Sequence, residues 1–119
     1  MKVILDTNFM LVPHQFGVDI FEFLKDYEVA TLSSCISELR TLSKKRSDDG
    51  KAAKVALKLV KEKKIEIIKV KENGDPAIIS YASKEKCIVA TNDIELIKIL
   101  KKNGVKIIRL RQKKYLEEE

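Results

Sequence analysis

The chain has 119 residues, 45% apolar and 35% charged, and carries a net charge of +6 at neutral pH. That length suits one domain over residues 1–119, and no apolar run approaches the roughly 20 residues that a membrane span needs, so a soluble protein is expected. His14 is the only histidine, which excludes a zinc site built from histidines.

In chain order, the first strand is expected at Lys2 to Leu5. It begins without the basic, apolar and small-residue regions of a signal peptide, which points to the cytoplasm. A helix over Val18 to Lys25 carries Ile20, Phe21 and Leu24, and Phe16, Phe21 and Phe23 form an apolar face that is either core or a homodimer surface. Val29 to Leu32 is the second strand, and Ser34 to Lys44 a helix with Cys35, Leu39 and Leu42 inward. The polar stretch Ser43 to Gly50 is expected to be the most mobile loop. A helix over Ala52 to Lys63 follows, then a strand over Ile65 to Lys69, a helix from Pro76 to Glu85, a strand over Cys87 to Ala90, a helix from Ile94 to Lys102 and a strand over Val105 to Leu110. Short β-branched runs alternating with segments of helical period predict an α/β fold of βαβ units, with a parallel sheet covered on both faces. Cys35 and Cys87 lie in apolar segments without a CxxC spacing. Two reduced thiols are the simpler reading, while the Lys-, Glu- and Ile-rich composition, common in hyperthermophiles, leaves a disulfide open.

Twelve of the 24 basic residues lie between Arg40 and Lys71, against Asp48, Asp49, Glu62 and Glu66 in the same stretch. Without the closing Glu117, Glu118 and Glu119 the chain would carry +9. This suggests a polyanionic partner, with the lysine-rich surface of a heat-stable protein as the alternative.

In an open parallel sheet, ligands bind beyond the carboxyl ends of the strands. Val3-Ile4-Leu5 runs into Asp6-Thr7-Asn8, and Ile88-Val89-Ala90 runs into Thr91-Asn92-Asp93. Each acid taken alone could simply open a loop or cap the next helix. Asp75, after Asn73-Gly74 and before Pro76, reads as a helix N-cap facing the same edge. Glu38 falls on the stripe 35, 38, 39, 42, where a carboxylate needs a cation, a basic partner or an edge position in water. Four carboxylates at one edge repel one another, and a hard divalent ion relieves that repulsion. Oxygen-only ligands suit Mg²⁺ or Mn²⁺, the usual partners of phosphate substrates, so the acids and the basic surface together point to phosphodiester chemistry. The chain has neither a GxxxxGK phosphate loop nor a GxGxxG turn.

LDTNF at 5–9, SELRTL at 37–42, GDPAI at 74–78 and IVATNDIEL at 88–96 resemble the four acidic motifs of PIN-domain ribonucleases. The stretch from Asn73 to Leu110 is similar to the branch that includes small-subunit ribosomal RNA processing endonucleases. The resemblance implies a three-layer α/β/α PIN-like domain with a five-stranded parallel sheet. It implies that Asp6, Glu38, Asp75 and Asp93 ligate one or two Mg²⁺ or Mn²⁺ ions, with Asn8, Thr91 and Glu95 supporting them from the next shell. The implied reaction is endonucleolytic RNA cleavage leaving a 5′-phosphate and a 3′-hydroxyl. Many members of that branch have a second acid where this chain has Pro76, which weakens any second metal site.

Three functions follow from the resemblance: an endoribonuclease of ribosomal RNA maturation with a pre-ribosomal partner, a toxin-type ribonuclease paired with an antitoxin, and a non-catalytic RNA-binding assembly factor. Arg40, Lys44, Lys45, Arg46 and Lys51 are the expected RNA phosphate contacts, and the few aromatics argue against base stacking.

Overall fold

In the computed structural model, which describes residues 1–119, six strands form one sheet: β1 (Lys2–Leu5), β2 (Glu28–Leu32), β3 (Glu66–Ile68), β4 (Ile88–Ala90), β5 (Ile107–Arg111) and β6 (Tyr115–Glu118). Their spatial order is β3-β2-β1-β4-β5-β6. The first five run parallel, while β6 is antiparallel to β5. Helices α1 (Val12–Phe16), α2 (Ile20–Phe23), α3 (Ser33–Ser43), α4 (Asp48–Glu62), α5 (Gly74–Glu85) and α6 (Ile94–Lys102) connect the strands, with a 3₁₀ turn at Phe9–Leu11.

The central strands are short apolar runs because both faces of the sheet are covered. Val3, Ile4 and Leu5 of β1 and Ile88, Val89 and Ala90 of β4 are all buried. They belong to one cluster of 33 buried apolar residues. α3 packs against α4, α1 also packs on α4, and α5 packs on α6.

The sixth strand corrects the expected five. It ends in two glutamates, and the turn before it places Gln112 and Lys113 at φ values of 52° and 57°, closed by the Lys114 N–H donating to the Arg111 carbonyl at 3.0 Å. Gly or Asn would be the usual residues in a turn with two positive φ values, so the hairpin lacks its ordinary signal. Ion pairs support the strand instead. Glu119 meets Lys101 at 2.9 Å, Arg109 at 3.6 Å and Arg111 at 3.8 Å, and the Tyr27 hydroxyl donates to Glu118 at 2.9 Å. The bond from Lys101 and the neighbouring arginine charges hold the Glu119 carboxyl below its usual range.

Ser43 to Gly50 is also shorter as a loop than expected. Asp48 already opens α4, with the Ser47 hydroxyl accepting from the Gly50 N–H at 3.2 Å as an N-cap. Gly50 is buried, and a Cβ there would stand 2.0 Å from the Lys45 carbonyl oxygen. Only glycine lets α4 approach the end of α3 so closely. The early helix is shortened as well: Asp19 accepts from the Glu22 N–H and α2 ends at Phe23. Phe21 packs on the core, whereas Phe16 and Phe23 are exposed. Cys35 and Cys87 are free, buried thiols. No helix is long and apolar enough to cross a membrane.

Gly50→Ala is expected to lower the unfolding free energy by about 1–3 kcal/mol, the usual cost of overpacking. Urea denaturation should show a lower midpoint with the same slope; an unchanged midpoint would mean that α4 retreats from Lys45 without cost.

Candidate active site at the strand switch point

The chain builds β1, β2 and β3 outward on one side, then returns to place β4 on the other side of β1. This reversal opens a crevice at the carboxyl ends of β1 and β4, where open α/β sheets bind ligands. Leu5 pairs with Ala90, so Asp6 and Thr91 are the next residues of neighbouring strands. The Asp6 N–H donates to the Ala90 carbonyl at 3.2 Å, and the Thr91 N–H to the Ile108 carbonyl at 3.0 Å.

Asp6 is 5% exposed. Its Oδ1 accepts from the Phe9 N–H at 2.6 Å, and its Oδ2 accepts from the Thr91 hydroxyl. Burial pushes its pKa up to about 6, against the two hydrogen bonds, and the charges of Asp75 and Asp93 push the same way. Burial and the Asp93 charge also raise the pKa of Asp75. These three acids therefore share one electrostatic neighbourhood. The eight ion pairs of the structure all lie elsewhere, so no lysine or arginine neutralises them.

Asp93 caps α6. Its Oδ1 accepts from the Glu95 and Leu96 N–H groups at 3.0 and 3.2 Å, and its own N–H donates to Thr91 Oγ1 at 3.1 Å. Asp75 is not the cap of α5, as its sequence setting suggested. The helix starts at Gly74, Asn73 is the N-cap residue, and Asp75 lies inside the first turn with Pro76 after it. An acid there still suits the positive end of the helix.

Glu38 is exposed rather than inward. The buried residues of α3 are Ser34, Cys35, Ile36 and Leu39, and position 38 falls between Ser34 and Cys35 around the helix, so its exposure comes from what that side faces and not from its phase. Glu38 instead lines a groove of about 410 Å³ together with Thr7, Asn8, Ser34, Ser37, Thr41, Lys45 and Asn73. Asn8, expected as a supporting residue, is thus a wall of this groove. Of the five expected phosphate contacts, Lys45 lines the groove, while Arg40, Lys44, Arg46 and Lys51 are exposed on α3, the following loop and α4. Glu95 contributes its backbone N–H to Asp93, whereas its side chain is 83% exposed and pairs with Lys98 at 3.9 Å. Sequence reasoning passed over Ser34, Ser37, Thr41 and Asn73; small polar residues on a helix face carry no signal until the opposite wall is known.

No three His, Cys, Asp or Glu side chains stand close enough together to form a ready-made metal cage. The donor chemistry nevertheless fits a hard cation: an all-oxygen set, one member buried and unpaired, and two neighbours that raise the cost of its ionisation. Cys35, the nearby sulfur, is buried beside Thr7 and Thr31, and burial raises its pKa, which keeps it a protonated thiol.

Residues 3–113 match the family described as PIN like domain. The chain belongs to the PIN family. Among PIN relatives, it is 37% identical to Ribonuclease VapC4 of Methanocaldococcus jannaschii, over 98% of this chain and 95% of that protein. It is 30% identical to Ribonuclease VapC9 of Archaeoglobus fulgidus, over 93% of this chain and 84% of that protein. Two solved structures share the fold at lower identity. One is VapBC2 from Rickettsia felis bound to a promoter DNA fragment, with TM-score 0.66, 21% identity, and coverage of 93% of this chain and 100% of that one. The other is a domain of a functionally unknown protein from M. jannaschii, with TM-score 0.69, 19% identity, and coverage of 92% and 91%. Both relatives are named ribonucleases, and neither name points to the ribosomal RNA processing branch.

A buried acid with a raised pKa makes the folded protein hold its proton longer than the unfolded chain does. Stability therefore falls as pH rises from 3.8 through about 6 and stays lower above that. Asp6→Asn should stabilise the protein in chelator at pH 7.5 by about 1–3 kcal/mol, the gap closing near pH 4. Equal melting temperatures at both pH values would contradict the burial cost assigned to Asp6.

Proposed function

We propose that the chain is a divalent-metal-dependent endoribonuclease acting as the toxin of a toxin–antitoxin pair. The observation that carries this reading is Asp6: buried, uncompensated and electrostatically coupled to Asp75 and Asp93, at the switch point of a chain similar to two VapC ribonucleases. Asp6, Asp75 and Asp93, with Glu38 from the groove wall, would hold Mg²⁺ or Mn²⁺. When bound, such an ion supplies a hydroxide from water and stabilises charge on the phosphate.

The chain's own part is placement. Thr91 and the Phe9 N–H fix the Asp6 carboxylate, the α6 N-terminus fixes Asp93, and Lys45 brings a positive charge into the groove where an RNA backbone would lie. Besides Glu38, Lys45 and Leu42 the groove is lined by hydroxyls and amides, with no aromatic ring, which suits sugar–phosphate contacts better than base stacking. The solved VapBC2 neighbour supports a small antitoxin as protein partner, and exposed Phe16 and Phe23 offer it apolar surface.

With RNA and Mn²⁺, the wild type should cleave, chelator should abolish cleavage, and Asp6→Asn and Asp93→Asn should each lower the rate about 10²-fold or more. Cleavage that survives chelator or both substitutions would overturn the metal reading. Replacing Lys44, Lys45 and Arg46 together by alanine should weaken RNA binding across sequences and flatten the log–log salt slope by about 2, the value for three phosphates on a single strand. An unchanged slope would remove these residues from the interface. As a test of the toxin assignment, expression in a bacterial host should halt growth for the wild type and not for Asp6→Asn; unimpaired growth with the wild type would count against it.

A further inference from the structure

Ala90 and Ile108 are the last paired residues of β4 and β5; the Thr91 N–H makes one more bond, to the Ile108 carbonyl, before the chain turns away toward α6. Leu110, the next residue of β5 facing that side, would be left with an unpaired N–H and carbonyl. The Asn92 side chain takes both. The Leu110 N–H donates to Asn92 Oδ1 at 2.7 Å, and Asn92 Nδ2 donates to the Leu110 carbonyl at 3.3 Å.

A carboxamide presents one acceptor and one donor in a plane, as a peptide unit does, so Asn92 continues the ladder with a side chain in place of a strand residue. The turn it anchors carries Thr91 and Asp93. Thr91 Oγ1 accepts from the Asp93 N–H and donates to Asp6, so contacts run without a break from β5 through Asn92 and Thr91 to the buried carboxylate.

We propose that Asn92 is a positioning residue: by pairing with Leu110 it holds Thr91 and Asp93 against Asp6 in the geometry that receives the metal. Its functional consequence rests on the metal-nuclease reading above, whereas its structural part does not. Simple closure of the sheet would need these hydrogen bonds as well, so the two roles separate only in the effects of losing them.

The test uses full-length wild type and Asn92→Ala, compared by amide hydrogen exchange without metal, by Mn²⁺ titration and by cleavage kinetics. The variant should lose protection at the Leu110 and Asp93 amides and bind Mn²⁺ about tenfold or more weakly, in line with the loss of a residue supporting metal ligands. Its kcat should fall at low Mn²⁺ and recover at correspondingly higher Mn²⁺, with KM for RNA unchanged, a pattern that a merely less stable protein would not show. Protection retained at both amides would overturn the proposal. So would protection lost with wild-type Mn²⁺ affinity. If Asn92→Ala does not fold, Asn92→Asp keeps the acceptor for the Leu110 N–H and loses the donor, and intermediate values of the same quantities are expected. Values for Asn92→Asp equal to wild type would overturn the proposal too. A wild type that neither binds Mn²⁺ nor cleaves sinks the nuclease reading in its own arm; positioning of the turn is then decided by the Leu110 and Asp93 amides alone.

Discussion

The carboxylate of Asp6 accepts one hydrogen bond from the turn that follows its own strand and one from Thr91 on the neighbouring strand, while the buried ends of β1 and β4 exclude water from it. Two hydrogen bonds do not compensate for the lost hydration, as the raised pKa shows. The rest of the site follows from that deficit. β4 must lie beside β1 for Thr91 to reach Asp6, which requires the crossover in strand order. α5 and α6 must then start where their first turns bring Asp75 and Asp93 into the same field. A fold chosen for stability alone would have a neutral residue here, and the cost is borne at the place where chemistry is proposed.

The parallel core was legible because strands buried on both faces are apolar runs with little alternation, and Val3-Ile4-Leu5 and Ile88-Val89-Ala90 could hardly be anything else. Asp6 and Asp93 were legible for the same reason, as the first acids beyond those runs. The departures have separate causes. β6 escaped because Tyr115 to Glu118 looks like a charged tail and its turn uses Gln112 and Lys113 where Asn or Gly would announce a hairpin. The α1 helix escaped because Pro13 falls in its first turn and Gly17 follows it within one short segment. Glu38 has the helical phase of the buried face, and periodicity does not show that this part of the face opens onto a groove and not onto packed core. Asp75 has the sequence setting of a cap because Pro76 suits the first helical position, yet α5 begins two residues earlier than that setting implies. The Asn92 bridge depends on which backbone groups β5 leaves unpaired, a property of the assembled sheet and not of any local stretch of sequence.

The groove and the acids are held by different parts of the molecule. Asp6 and Thr91 belong to the sheet, whereas Glu38 and Lys45 ride on α3 and its exit, which Gly50 draws against α4. Val70 links the two regions, its N–H donating to Ser33 Oγ at 3.0 Å and so tying the start of α3 to the segment that leads to Asn73 and Asp75. The placement of Glu38 and Lys45 in the groove is thus set by helix packing, while that of Asp6 and Thr91 is set by strand register.

The pairing of β6 has an effect beyond closing the sheet. Glu118 and Glu119 hold their charge against Lys101, Lys106, Arg109 and Arg111, so the β5–β6 side of the molecule is largely self-neutralised. Arg40, Lys44, Lys45 and Arg46 around the end of α3 belong to none of the ion pairs. The exit of α3 is consequently a local concentration of unpaired positive charge beside the groove. A polyanion is drawn to such a patch before contact, so encounters favour Lys45 and the groove, and the rate of productive collision becomes sensitive to ionic strength even where final contacts are few.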